Sequence, residues 1–418
     1  MTKSGERWGE ATDEPHRPKS RAARVDARPT LRLDMRFEFA TTTKIIFGAD
    51  TLREAGALAM EFGKRALVVT GRDAKRAGLL LKTLREAGIS AETFPVTGEP
   101  ELDTVEQGAA FAKKENCDFV IGFGGGSALD AAKAIAAMLM NSGVLLDYVE
   151  IIGRARPLTK SSAPFIAIPT TAGTGSEVTR NAVLASPEHK LKVSLRSPLM
   201  LARVAVVDPE LTYDLPPALT ASTGLDALTQ LIEPFVCARA NPMTDGFCAE
   251  GIRRVARSLR VAFTDGQNKT AREDMAVASL FGGLALANAG LGAVHGFAGP
   301  IGGGFPAPHG AVCAALLPHV MGANIRALRQ RVSEREALRR YDAVARWLTG
   351  NPQATADAGV DWVRKLVSDL AIPPLGSYGL REEHIADLVE KAARASSMKA
   401  NPIALTHEEL ADTLRRAL

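Results

Sequence analysis

The chain reads Ile121-Gly122-Phe123-Gly124-Gly125-Gly126-Ser127-Ala128-Leu129-Asp130-Ala131-Ala132-Lys133, so that an apolar run meets three glycines and then a helix-forming segment. Glycines let a backbone approach a pyrophosphate closely, and the free N–H groups at the start of a helix favour an anion. Ser127 could act as the helix N-cap or as a phosphate donor. A tight turn without a ligand would use the same glycines, and their spacing departs from the GxGxxG fingerprint. The prediction of phosphate binding therefore needs support from another part of the chain.

A second loop supplies that support, with the sequence Pro169-Thr170-Thr171-Ala172-Gly173-Thr174-Gly175-Ser176-Glu177-Val178-Thr179. Its hydroxyls and small residues can wrap a polar ligand, although such a turn can also satisfy only its own backbone. Like the glycine run, it follows an apolar strand, and ligands of parallel sheets bind at the carboxyl ends of neighbouring strands. Together the two segments predict a dinucleotide site.

The rest of the chain predicts the fold around these loops. Short apolar runs indicate buried strands at residues 65–70, 118–123, 165–169 and 204–208, and a helix is expected at 74–87. Strands that alternate with helices and stay apolar throughout indicate a parallel sheet covered on both faces. From about residue 209 the pattern becomes helical. We therefore expect an α/β nucleotide-binding domain over residues 35–208 and an all-helical domain over 209–418, with the substrate in the cleft between them.

Composition narrows the class of protein. Of the 418 residues, 46% are hydrophobic and 23% charged, as in globular proteins, and the net charge of +4 gives no reason to expect a nucleic acid or another polyanion as partner. The four cysteines form no CxxC pair, which favours a reducing cytoplasm. No apolar run reaches the roughly 18 residues of a membrane span. Residues 1–34 are polar and rich in Arg and Pro, and we expect a disordered extension that ends before Met35.

Two histidines and one carboxylate are candidate metal ligands. His295 and His309 bracket the glycines and prolines of residues 300–308, so they cannot share one straight helix, and a loop should present them from different elements. Asp226 lies in an apolar helix, where a carboxylate is costly unless it is paired or binds a metal, although a helix-start Asp or a buried hydrogen bond would also explain it. Gln230, four residues on, shares its face.

Three motifs, in order along the chain, resemble the iron-containing (group III) alcohol dehydrogenase family. They are Gly-Gly-Gly-Ser-x-x-Asp-x-x-Lys at 124–133, Pro-Thr-Thr-Ala-Gly-Thr-Gly-Ser-Glu at 169–177 and Thr-Gly-Leu-Asp-Ala-Leu at 223–228. The resemblance covers about residues 36–418 and implies a dehydroquinate synthase-like fold. It also implies a cytoplasmic NAD(P)-dependent alcohol dehydrogenase or aldehyde reductase, a homodimer or higher homo-oligomer, that transfers hydride between nicotinamide and a small alcohol or carbonyl with the help of a divalent metal.

Cofactor positions follow from the same resemblance. Those implied are Gly71, Gly125, Gly126, Ser127, Asp130, Thr170, Thr171, Thr174 and Lys192. NAD-preferring relatives carry an Asp after the Val-Val-Thr strand, where this chain has Gly71 followed by Arg72. Loss of that carboxylate removes repulsion against a 2′-phosphate, and an Arg could pair with it. The expected cofactor is therefore NAD or NADP, and we hypothesise that NADP is accepted.

The metal site implied by the resemblance consists of one Asp and three His. Asp226, His295 and His309 match three positions, Gln230 replaces the fourth, and Gly299 replaces a further histidine near the substrate. An amide oxygen is a weaker ligand than imidazole for iron or zinc. Three states therefore stay open: Fe²⁺ or Zn²⁺ on all four residues, a weakly bound metal on three of them, or no metal and a histidine as general acid. We favour a bound divalent metal.

The remaining histidines and cysteines carry no predicted role in the site. His319, His384 and His407 are expected to be structural or exposed, and Cys313 to belong to the core. Alternative functions are a metal-independent, maleylacetate-reductase-like or hydroxyacid oxidoreductase, a dehydroquinate-synthase-like lyase, and a non-catalytic cofactor-binding protein. Ser127 and the Thr-rich loop favour a dehydrogenase over the lyase, and the intact cofactor motifs argue against the last option.

Overall fold

The strands of the described chain all lie within residues 44–207, and the described chain after them is helical. The computed structural model describes residues 36–189, 191–332 and 336–418, and the expected disordered extension over residues 1–34 lies outside them. The strands are β1 (Lys44–Phe47), β2 (Arg65–Thr70), β3 (Ser90–Pro95), β4 (Phe119–Gly124), β5 (Phe165–Pro169), β6 (Asn181–Ser186), β7 (Leu191–Arg196) and β8 (Val204–Val207).

Six strands form one parallel sheet in the order β1-β8-β5-β4-β2-β3. Successive residues of a strand point to opposite faces, and both faces are covered here. Leu67 and Val120 pack in the core on one face, whereas Val68 and Ile121 pack in the core on the other. The predicted parallel sheet covered on both faces is therefore confirmed.

The two edge strands and a separate hairpin were not anticipated from the sequence. β1 and β3 form the edges of the sheet, and their residues are mostly exposed or half-buried. An edge strand has a neighbour on one side only, so it lacks the continuous apolar run that identified the central strands. β6 and β7 form an antiparallel two-stranded sheet that packs against the helix after β4.

Helices cover the sheet and then make up the rest of the chain. They are α1 (Ala55–Ala59), α2 (Gly78–Glu86), α3 (Leu102–Lys114), α4 (Gly126–Met140), α5 (Pro217–Val236), α6 (Pro242–Thr264), α7 (Lys269–Asn288), α8 (Ala293–Gly304), α9 (His309–Arg331), α10 (Glu336–Thr349), α11 (Ala356–Asp369), α12 (Ile385–Ala393) and α13 (His407–Ala417). The predicted fold class, an α/β region followed by an all-helical region, is confirmed. The proposed domain boundary at residue 208 falls directly after β8.

The helical region is built around α5 and α9. Every residue of α5 from Gly224 to Val236 is buried, and both helices contribute to one large apolar core. By length and composition α9 could cross a membrane, but 83% of its most apolar window is buried by neighbouring helices. Such burial is typical of a core helix, so the apolar sequence of α9 is explained by packing.

Candidate active site

The glycine turn, residues 124–127, connects β4 to α4. Gly125 is the N-cap residue and α4 begins at Gly126, so Ser127 lies in the first helical turn and is not the N-cap. A Cβ added to Gly126 would lie 2.7 Å from the Thr174 side chain, and one added to Gly124 would lie 2.7 Å from the Ala128 Cβ. Side chains at these positions would fill the space between turn and helix, so glycine is required for the close approach.

Three neighbouring strand ends meet at this turn. The backbone N–H of Gly71, after β2, lies 3.3 Å from the position of a Cβ on Gly124. The Thr170 N–H, after β5, donates to the Gly124 carbonyl at 2.9 Å. A Cβ on Gly125 would lie 3.4 Å from the Thr171 side chain. The structure thus brings six predicted cofactor residues to one edge of the sheet, at the start of a helix, where a pyrophosphate binds favourably. They are Gly71, Gly125, Gly126, Thr170, Thr171 and Thr174.

Lys133 anchors the threonine loop, which comprises residues 170–179. Its side chain is fully buried, and its Nζ donates to the Ser176 carbonyl at 2.8 Å, to the Thr179 hydroxyl at 2.9 Å and to the Asn181 carbonyl at 2.8 Å. A buried ammonium needs such oxygen partners, because desolvation otherwise makes it very costly. The Lys of the glycine motif therefore positions the second loop of the predicted cofactor site.

Asp130 and Lys192 make contacts within the protein. The Asp130 carboxylate accepts a hydrogen bond from the Ser176 hydroxyl at 2.5 Å and another from the Val183 N–H at 2.9 Å. Lys192 pairs with Glu99 at 2.9 Å, and its side chain is 6% exposed. These contacts connect α4 and the β6–β7 hairpin to the loops around the turn. Cofactor contacts by these two side chains remain predictions.

The threonine loop also contacts the helices that carry the candidate metal ligands. A Cβ on Gly173 would lie 2.7 Å from the Thr223 Cβ, three residues before Asp226 on α5. Gly175 has a φ of +59° and packs so closely against α7 that a Cβ would lie 2.4 Å from the Gly283 Cα. One loop therefore touches both the glycine turn and α5.

Asp226, His295 and His309 lie close together in the structure. The Asp226 Oδ1 lies 3.6 Å from His295 Nε2 and 3.7 Å from His309 Nε2. His295 belongs to α8, which continues through Pro300 to Gly304, and His309 begins α9. The two rings do come from different elements, as expected, although the intervening loop is only residues 305–308 because the glycines belong to α8.

Cys313 lies in the core, as the sequence predicts, and also joins this group. It is fully buried and lies one helical turn after His309 on α9, but its Sγ lies 3.9 Å from His295 Nε2 and 3.7 Å from His309 Nε2. The four residues Asp226, His295, His309 and Cys313, called the metal cluster below, could hold a metal ion, because their candidate ligand atoms all lie within 4.8 Å of one another. The four-residue spacing from His309 was the sequence signal for this contact.

The electrostatics of the metal cluster favour a cation. Burial acts to lower the pKa of His295, but Cys313, Glu233 and Asp226 outweigh it and hold the pKa well above its usual value. Asp226 is 1% exposed, and its Oδ1 has no hydrogen-bond partner among the described residues. A buried carboxylate oxygen without a donor is expensive unless a cation compensates it. The residues present therefore fit a divalent metal.

Gln230 and Glu233 lie on the same face of α5 as Asp226. Gln230 is buried, and its Oε1 finds no hydrogen-bond donor within the described part of the chain. Glu233 was missed in the sequence: its carboxylate contacts His295 Nδ1 at 2.6 Å and accepts from the Val294 N–H at 2.7 Å. Because Nδ1 is engaged, Nε2 is left to face the cluster, as in the carboxylate–histidine pairs of metal sites. Polar residues at i, i+4 and i+7 in an apolar helix were the available signal.

Comparison with known proteins agrees with this geometry. Residues 42–209 match the family described as iron-containing alcohol dehydrogenase, and residues 220–418 match the C-terminal region of the Fe-containing alcohol dehydrogenase family. Long-chain-alcohol dehydrogenase 1 of Geobacillus thermodenitrificans is 39% identical over 83% of this chain and 88% of its own length. The NAD-dependent methanol dehydrogenase of Bacillus methanolicus is 33% identical over 89% of this chain and 97% of its own.

A solved structure shows the same architecture. The crystal structure of a 1,3-propanediol oxidoreductase superposes with a TM-score of 0.85 and 34% identity, covering 92% of this chain and 100% of the other. The parallel sheet, the glycine turn and the metal cluster define an α/β plus α-helical oxidoreductase that acts on CH–OH groups. The chain belongs to the iron-containing alcohol dehydrogenase family.

Proposed function

We propose that this enzyme oxidises small alcohols and reduces the corresponding carbonyl compounds, with NAD or NADP as the hydride carrier. The observation that carries the proposal is the contact of the threonine loop with both sites: Thr174 packs on the glycine turn, while Gly173 packs on α5 beside Asp226. A dinucleotide on the glycine turn would therefore extend towards the metal cluster. That arrangement brings a hydride carrier and a cation-binding site to one substrate.

Two sets of protein groups would act in the proposed reaction, one on the cofactor and one on the substrate oxygen. The N–H groups of the glycine turn, with the Thr171 and Thr174 hydroxyls beside them, would bind the pyrophosphate and fix the position of the nicotinamide. A divalent cation bound in the metal cluster would supply positive charge where negative charge develops on the substrate oxygen. Asp226, His295 and His309 would hold that cation, and Glu233 would keep the His295 ring in place.

The space beside α8 favours a substrate larger than a single carbon unit. A Cβ added to Gly299, one turn after His295, would meet no atom within 4 Å. The relatives named above act, by their names, on methanol and on long-chain alcohols. We infer that the open space at Gly299, one helical turn after His295, admits the carbon chain of the alcohol.

The proposal also includes the cellular compartment and the oligomeric state of the enzyme. All four cysteines, each within the described residues, are free thiols, which favours the reducing cytoplasm. We propose a homodimer or a higher homo-oligomer, since most protein oligomers are symmetric assemblies of identical chains. Light scattering coupled to gel filtration tests this, since a mass equal to one 44.3 kDa chain would reject it.

A substrate panel tests the proposed function. Purified enzyme, with and without added Fe²⁺ or Zn²⁺, is assayed by nicotinamide absorbance against alcohols and aldehydes of increasing length, with NADH and NADPH in parallel. We expect turnover of alcohol and aldehyde pairs that depends on the metal. Cofactor binding without turnover on any substrate would instead support a non-catalytic cofactor-binding protein, and turnover confined to oxo acids would support the hydroxyacid alternative.

A further inference from the structure

Packing in the core does not by itself explain why the Cys313 sulfur lies beside two histidines. Cys313 belongs to the large apolar core, yet its sulfur lies 3.7 Å from His309 Nε2 and 3.9 Å from His295 Nε2. Asp226 Oδ1, the fourth member of the same group, is buried and without a hydrogen-bond donor among the described residues. One thiol, two imidazoles and one orphaned carboxylate oxygen thus converge from α5, α8 and α9.

Four of the six distances within the group lie slightly above those of a tetrahedral ion site. Zinc bonds of about 2.0–2.1 Å to nitrogen or oxygen and about 2.3 Å to sulfur place neighbouring ligand atoms about 3.3–3.6 Å apart at tetrahedral angles. Here the Asp226 oxygen lies 3.6 and 3.7 Å from the two imidazole nitrogens, and the Cys313 sulfur lies 3.7 and 3.9 Å from them. Four of the six edges are therefore within about 0.4 Å of the ideal.

We propose that Cys313 is a metal ligand, so that the cation is held by Asp226, His295, His309 and a cysteine thiolate. The inference rests on the proposed function, because it concerns the metal of that same site. On binding, the sulfur–metal bond forms as the S–H bond breaks, and the thiol proton passes to solvent. Gln230 is then not needed as the fourth ligand, and its Oε1, which is also buried without a hydrogen-bond donor among the described residues, would be an additional oxygen beside the four.

A thiolate changes which metal the site prefers. Thiolate is a soft ligand that suits Zn²⁺, whereas carboxylate and water suit harder ions such as Mg²⁺ and Mn²⁺. In the order of divalent affinities Zn²⁺ already exceeds Fe²⁺ for nitrogen and sulfur ligands. The family is named for iron, but we infer that this protein binds zinc in preference to iron when both ions are present.

Cobalt spectroscopy tests the ligand directly. The full-length protein is stripped with a chelator and loaded with Co²⁺, and its absorption is recorded for wild type, C313S and C248S. Cys248 is the matched control, because it is fully buried in α6 and belongs to the apolar core outside the metal cluster. We expect a sulfur-to-cobalt charge-transfer band in wild type and C248S, its loss in C313S, and a roughly tenfold or greater rise in the cobalt Kd of C313S.

A second measurement covers the case in which C313S fails to fold. X-ray absorption of zinc-loaded wild-type protein should show one sulfur neighbour at about 2.3 Å together with nitrogen and oxygen at about 2.0–2.1 Å. A zinc shell of nitrogen and oxygen alone, a charge-transfer band that persists in C313S, or failure of the wild type to bind cobalt would each overturn the assignment. Alcohol oxidation would be retained if only the cysteine assignment is wrong, so its failure is distinguishable from failure of the proposed function.

Discussion

At the scale of single residues, Glu233 contacts a member of the metal cluster without being one of the four residues itself. Its carboxylate contacts His295 Nδ1 and accepts from the Val294 N–H, so it orients the ring and the start of α8 together. We expect Glu233→Gln to lower metal affinity by about 10–100-fold, because the amide N–H group cannot replace the carboxylate acceptor at Nδ1.

Metal titration of Glu233→Gln should be compared with Glu250→Gln, a partly exposed glutamate of α6. The control should bind metal as the wild type does, since surface charge pairs contribute little. Equal affinity of all three proteins, measured by competition with a chelator, would contradict the proposed role of Glu233. Far-ultraviolet circular dichroism of each variant separates loss of metal from loss of fold.

Gly71 is the residue that should govern the choice between NADH and NADPH. It follows β2 at the edge of the cofactor site, and a Cβ there would meet no atom within 4 Å, so a longer side chain fits. We expect Gly71→Asp to lower kcat/KM for NADPH relative to NADH by about tenfold, about 1.4 kcal/mol, because the new carboxylate repels a 2′-phosphate. Gly78→Asp adds the same charge at another open position and should leave the ratio unchanged. A strong NADH preference of the wild type would reject the hypothesis that NADP is accepted.

At the scale of elements, the threonine loop depends on two close backbone approaches. Gly175 combines a φ of +59° with a Cβ position 2.4 Å from α7, whereas Gly88 has a φ of +72° with nothing within 4 Å. Alanine in the left-handed region costs roughly 1–2 kcal/mol, and overpacking adds roughly 1–3 kcal/mol. Gly175→Ala should therefore lower the free energy of unfolding by more than Gly88→Ala.

Urea unfolding gives this comparison, and cofactor KM gives the functional consequence. Only Gly175→Ala should raise the KM for the nicotinamide cofactor, because only Gly175 lies in the threonine loop. Equal destabilisation by both variants would mean that α7 yields to the added methyl group, and the loop would then not be fixed by this contact.

Glu177 makes the stability of the same loop depend on pH. Burial raises its pKa from 4.5 to about 7, and the side chain is 2% exposed. Between these pH values the folded chain holds a proton that the unfolded chain has released, so stability falls as pH rises. We expect the free energy of unfolding of the wild type, relative to Glu177→Gln, to fall by up to roughly 3 kcal/mol from pH 4.5 to 7. A difference independent of pH would show that Glu177 is ionised in the folded protein.

The strands that are buried on both faces were predictable from the sequence, whereas the partly exposed strands were not. The runs at β2, β4, β5 and β8 are central strands, buried on both faces, and their apolar residues identified them. β1 and β3 are edge strands whose polar residues face solvent, so their composition resembles that of loops. For α8, Pro300 and the following glycines suggested a loop, yet tertiary packing of the apolar Phe297 and Ile301 keeps the segment helical.

At the scale of the whole molecule, the threonine loop contacts both the α/β part of the chain and the helical part. Sequence motifs identified Asp226, His295 and His309, because each lies in a recognisable local pattern. They did not identify Cys313 as their neighbour, because its sulfur meets His295 only through the packing of α8 on α9. Such contacts depend on helix packing, which local sequence does not report.

Chelator-treated enzyme, assayed for metal content and alcohol oxidation in the same sample, tests most directly whether a bound cation and a nicotinamide cofactor act together here. We expect activity to fall in proportion to the metal removed and to return when Zn²⁺ or Fe²⁺ is restored, while cofactor binding at the glycine turn persists throughout. Full activity in protein shown to contain no metal would contradict the metal-assisted mechanism and favour the metal-independent reductase.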